Sequence, residues 1–137
     1  MVAEILSAER FASAIAARIQ SVVPDRITVG AQGSAVSVYD QGHWGDWGYS
    51  QIADIVAEED GRSIVERVQT AAWAIVSFAQ DAVMESTREP WPGGPPGGAM
   101  PTAQVIGEQL HVWFGDEDNP VLRLEPIELA ELSDGAA

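Results

Sequence analysis

The chain has 137 residues, the size of one domain, and its 46% hydrophobic content favours a folded core over a disordered tail. Twenty-one acids against seven basic residues, all of them arginines, give a net charge of −14, the wrong field for nucleic acid or an anionic membrane surface. With neither cysteine nor lysine, the sequence excludes disulfides, thiol nucleophiles, cysteine-held zinc, Schiff-base chemistry and lysine-based phosphate loops.

The first predicted element is a helix from Ala8 to Val22. Phe11, Ile15, Ile19 and Val22 recur at helical spacing and form one apolar stripe. Ser7 is placed to cap its start, Leu6 to staple onto Phe11, and Pro24 to end it. Two strands follow, in "RITVG" and "AVSVYD", with turn glycines Gly30 and Gly33 between them, so a β-hairpin is expected.

The segment 41–50 holds three glycines with Trp44 and Trp47 and reads as a loop or wide turn. The next stretch, 50–60, fits a strand or a short helix, with a lean towards helix. A second long helix is predicted from Arg62 to Ser86, its apolar stripe running through Ile64, Val68, Ala71, Ile75, Phe78 and Ala82. Asp60 or Ser63 can cap it. On a helical wheel Trp73 and Met84 fall opposite the stripe.

Residues 89–101 contain five prolines and four glycines, which forbids regular structure; Trp91 and Met100 are their only large apolar groups. The C-terminal third returns to strands. "TAQVI" and "QLHVWF" flank Gly107-Glu108, a pair suited to a two-residue type II′ turn, and Leu110, Val112 and Phe114 share one face. "VLRLE" reads as a further strand, and "PIELAEL" as a strand or a short terminal helix.

The expected fold is therefore a single α+β domain over residues 1–137 with an internal Pro/Gly loop at 89–101. One antiparallel sheet of about five strands would carry two main helices on one face, in the order α-β-β-(α or β)-α-β-β-β. This order, together with the acidity, resembles the type III secretion chaperones and related small peptide-binding chaperones. The resemblance implies peptide binding and dimer formation.

Chemistry is sparsely represented. His43 with Asp46, or His111 with Asp116 and Asp118, are the only imidazole–carboxylate combinations, and neither follows a metal-ligand spacing, so no metal or cofactor is expected. The acidic turn at 116–118 lacks the glycine and distal glutamate of a calcium loop, and no serine sits in a nucleophile elbow. The aromatic residues point instead to a non-enzymatic protein-binding domain, a small chaperone, adaptor or immunity-type inhibitor. Its anchors would be Trp44, Trp47, Trp73, Met84 and Trp91, and its partner a basic or amphipathic protein segment. Two alternatives are a small-molecule or catalytic site near His43–Trp47, and a self-associating subunit that dimerises through the Trp73 face. No apolar run approaches the ~20 residues of a membrane span, and Met1–Arg10 does not read as a secretory signal, so a cytoplasmic location is expected.

Overall fold

The computed structural model describes residues 6–40, 46–51, 63–93 and 99–133, with the backbone alone for 46–51. The first helix, α1 (Ala8–Gln20), begins where the Ser7 side chain accepts a hydrogen bond from the Arg10 amide at 3.2 Å. Its apolar stripe is buried: Phe11, Ile15 and Ile19 are fully enclosed. The chain then turns at Pro24 into β1 (Ile27–Gln32), which pairs with β2 (Ala35–Asp40). The connecting pair is Gly33-Ser34. Gly33 has φ +60° and Ser34 does not share it, as a type II′ turn requires. Gly30 lies within β1, opposite Ser37, rather than in the turn.

A third strand, β3 (Asp46–Gln51), pairs antiparallel with β2. The loop expected over 41–50 is thus a strand from Asp46 onward. The register of this pairing shifts between Ser37 and Tyr39. Of residues 50–60, read as a strand or a short helix with a lean towards helix, Ser50 and Gln51 belong to β3, and 52–60, Asp60 included, lie outside the described residues.

The long helix α2 (Ile64–Thr87) opens with a capping box. Ser63 Oγ accepts from the Glu66 amide at 3.1 Å, and the Glu66 carboxylate returns to the Ser63 amide. It ends at Arg88, a non-glycine residue in the left-handed region, whose amide bonds the Met84 carbonyl at 2.8 Å. The second sheet follows: β4 (Pro101–Ile106), β5 (Gln109–Gly115), β6 (Pro120–Arg123) and the two-residue β7 (Ile127–Glu128), with β6 and β7 both pairing β5. Gly107, at φ +63° with Glu108 outside the positive region, makes the β4–β5 turn type II′ as expected. The stretch "PIELAEL" is both of its alternatives in succession, β7 and then a 3₁₀ turn at Leu129–Leu132.

The α+β class, the element order and the antiparallel pairing are those the sequence implies. The strands are divided, however, between two sheets, β1-β2-β3 and β4-β5-β6 with β7, and no ladder joins them among the described residues. The physical reason lies in α2, which packs along β4 and also reaches β2 and β3. The outward side of β4 is addressed by this helix instead of by another strand. A continuous core still unites both sheets, from Phe11 and Ile15 through Val36, Val38, Val68 and Ile75 to Leu110, Phe114 and Leu132. Leu6 and Ser133 form an antiparallel bridge, and the Ser7 amide bonds the Leu132 carbonyl at 2.8 Å, so the two described ends meet. No described helix is long and apolar enough to cross a membrane.

Candidate surface for partner binding

The expected anchors separate sharply. Trp73 stands 48% exposed on α2, as the helical wheel predicts. Met84 does not join it: this side chain is half-buried and packs against the core, because α2 is covered on more than one side near its C-terminus. Trp91 is 8% exposed and meets Phe114 edge-on, ring centroids 5.4 Å apart. Although it sits in the Pro/Gly segment, it is a core residue. Trp44 and His43 lie outside the described residues. Asp46 and Trp47 belong to β3, of which only the backbone is described.

A buried glutamine holds the backbone at Trp91. Gln80 of α2 donates through Nε2 to the carbonyl of Trp91 at 3.1 Å and to that of Ala99 at 2.6 Å. One side chain thereby fastens both ends of the proline–glycine segment to the helix. The Ala99 amide bonds the Gly93 carbonyl at 3.2 Å, closing the same base. Met100, next in the chain, projects to solvent at 71% exposure.

Between α2 and β4 runs a depression of about 380 Å³, lined by Gln69, Thr70 and Trp73 of the helix and Pro101, Thr102 and Ala103 of the strand. Gln69 reaches across it, its Oε1 accepting from the Val105 amide at 2.9 Å. Of the residues that build this groove, only Trp73 was legible beforehand. Glutamine, threonine and alanine carry no sequence signal of their own, and their convergence depends on α2 lying antiparallel to β4. The charged residues along the exposed stripe of α2 that contains Trp73 are Glu66 and Asp81.

Two other polar clusters lie away from this groove. Asp40, fully enclosed at the end of β2, receives Arg26 Nε at 3.2 Å to each carboxylate oxygen and Arg26 Nη2 at 2.5 Å, and it also accepts from the Ser86 hydroxyl. Arg26 donates further to the Ser86 carbonyl at 3.2 Å. The hydroxyl is buried and spends its proton on a carboxylate that an arginine already neutralises, so it is no nucleophile. The cluster instead ties β1, β2 and the end of α2 together. On α1, Arg18 forks onto Glu131 at 3.1 and 3.3 Å beside a shallow depression of about 350 Å³ that Arg10 and Ser13 also line. This pair pins the 3₁₀ turn to the helix. His111 lies on β5 opposite Gln104, and among the described residues no three His, Asp or Glu side chains gather where a metal ion could sit.

No protein-family model matches the chain, and no curated protein or solved structure matches it.

Proposed function

We propose that this chain is a non-enzymatic protein-binding domain whose Trp73 groove engages a basic or amphipathic segment of another protein, in the manner of a small acidic chaperone, adaptor or inhibitor. The exposure of Trp73 beside an open groove carries this reading. A tryptophan left half in water is a large, rigid apolar surface whose burial by a partner costs little side-chain entropy. The net charge of −14 supplies the second element, because it steers positively charged partners and disfavours negatively charged ones.

The test compares wild type with Trp73→Ala as bait in lysate capture, followed by titration of each retained protein made recombinantly. The expected result is a partner of net positive charge whose affinity falls about tenfold or more with Trp73→Ala and also falls with added salt. Equal affinity for both baits would sink the reading.

A further inference from the structure

We propose that the partner segment is an amphipathic helix lying along the exposed stripe of α2, with basic residues at its two ends answering Glu66 and Asp81; this rests on the binding reading above and specifies its partner. The stripe consists of Glu66, Thr70, Trp73, Ser77 and Asp81, at spacings of four, three, four and four. Such spacing keeps all five on one side of a helix. Ser77 is half-buried and the other four are exposed. Trp73 therefore stands as a single large apolar knob between two small residues, with an acid at each end of the row.

The surroundings of this stripe favour a helix over an extended chain. α2 packs along β4, and its Gln69 takes the Val105 amide, so the strand beside the groove is closed to backbone pairing. What the surface offers a partner is side chains. A helix satisfies its own backbone and docks through side chains alone, setting its ridges into the spaces beside a ridge such as this one. Thr70 and Ser77 leave room on either side of the Trp73 ring. The depression of about 380 Å³ next to it, between α2 and β4, can take an apolar side chain from the partner's following turn.

Charge selects the occupant. Glu66 and Asp81 are fifteen residues apart, about 22 Å along the axis of α2. Glu85, exposed one turn beyond Asp81, adds to that acidic end, and Arg67 is half-buried on the flank. Arg88, exposed at the C-cap, reverses the sign and marks where a basic partner must stop. A helix crossing α2 at about 20° stays close along the whole stripe, so basic residues about fifteen positions apart reach both acids. A second copy cannot supply them. Antiparallel pairing of two stripes about Trp73 sets Glu66 of each chain near Asp81 of the other, and parallel pairing sets each acid against its own equivalent. Both arrangements bring carboxylates together, which opposes self-association.

The experiment is selection of displayed random segments of about eighteen residues, a helical span of ~27 Å, on the full chain at low salt. The best segments are then made as free peptides and titrated against wild type, Trp73→Ala, Glu66→Gln, Asp81→Asn and Glu9→Gln, with circular dichroism of each complex. Glu66→Gln keeps a side chain that completes the capping box, and Glu9→Gln removes the same charge from α1. Enriched segments should carry arginine or lysine about fifteen positions apart, be helical in the complex, and lose about tenfold or more in affinity with Trp73→Ala. Each neutralisation on α2 should weaken binding about threefold, and Glu9→Gln less than either. Trp73-dependent segments that are not helical when bound would overturn the helical partner while sparing the binding reading. So would segments for which Glu9→Gln matters as much as Glu66→Gln and Asp81→Asn. Failure to enrich any Trp73-dependent segment overturns both. A dimer in sedimentation that Trp73→Ala dissolves would give the stripe to a second copy and overturn the basic helix.

Discussion

Asp40 is the residue on which the largest single electrostatic consequence hangs. Its carboxylate is fully enclosed, whereas the Arg26 side chain that answers it is 47% exposed, so the two halves of the pair are not equivalent. Removing Asp40 discards a buried anion together with three donors aimed at it, and Asp40→Ala should destabilise by about 2 kcal/mol, below the range of fully buried pairs because Arg26 can turn to water. In urea that is a midpoint lower by about 1 M. Removing Arg26 instead strands the carboxylate, so Arg26→Gln also destabilises. The hydrogen bonds that Arg26 donates to Asp40 raise the Arg26 pKa above its already high ordinary value, opposed by desolvation and helped by the charges of Asp40 and Glu89. A raised pKa contributes stability that is complete below the unfolded value and fades only as pH climbs through the folded one. The difference in stability between wild type and Arg26→Gln should therefore show no arginine titration between about pH 7 and 10. A difference in urea midpoint that decays across that range would refute this assignment.

Among the elements, α2 organises the molecule through its glutamines. Gln80 holds the Trp91 and Ala99 carbonyls in a buried setting, and Gln80→Leu would keep the volume but leave both without that donor. The expected cost is about 2 kcal/mol, concentrated locally. Exchange at the Ala99 amide should accelerate more than exchange at Val76 in the middle of the helix, and equal acceleration would mean that the segment's base is held by something else. The sequence displays α2 and α1 plainly because their apolar stripes and serine caps are local patterns of spacing. The type II′ turn at Gly107-Glu108 is legible for the same reason, whereas in the first hairpin only Gly33 of the two turn glycines lies in the turn. By contrast, the Trp91 carbonyl is held by a glutamine eleven residues earlier, and the groove is bridged by a glutamine thirty-six residues from the amide that it caps. Such partners have no periodicity to read. Strand β3 was hidden differently, since its Trp-Gly-Tyr run carries the composition of a turn while β2 supplies the pairing. The division into two sheets follows from where α2 lies, and the wheel position of Met84 misleads because a helix touching both sheets is apolar around more than one stripe.

At the scale of the whole molecule, the excess of fourteen negative charges acts on folding and on binding with opposite signs. A 137-residue domain has a radius of gyration of about 14 Å, so at ~0.01 M ionic strength the screening length of ~30 Å leaves every acid exposed to every other. The folded chain concentrates that repulsion; the unfolded chain spreads it out. Sodium chloride raised to ~0.5 M shortens the screening length to a few ångströms and should lift the melting temperature by several degrees, corresponding to about 1–2 kcal/mol. Arg26–Asp40 and Arg18–Glu131 weaken slightly under the same change, but they are two short contacts against a collective term. The attraction of a basic segment to the groove works through the same field and must weaken as salt is added. Thermal melts and peptide titrations across one salt series therefore have to move in opposite directions. Salt that leaves the melting temperature unchanged would mean that the acids are already paired or spread too far apart to repel. Salt that strengthens binding would mean that Trp73 alone, without the acidic field of the molecule, holds the partner.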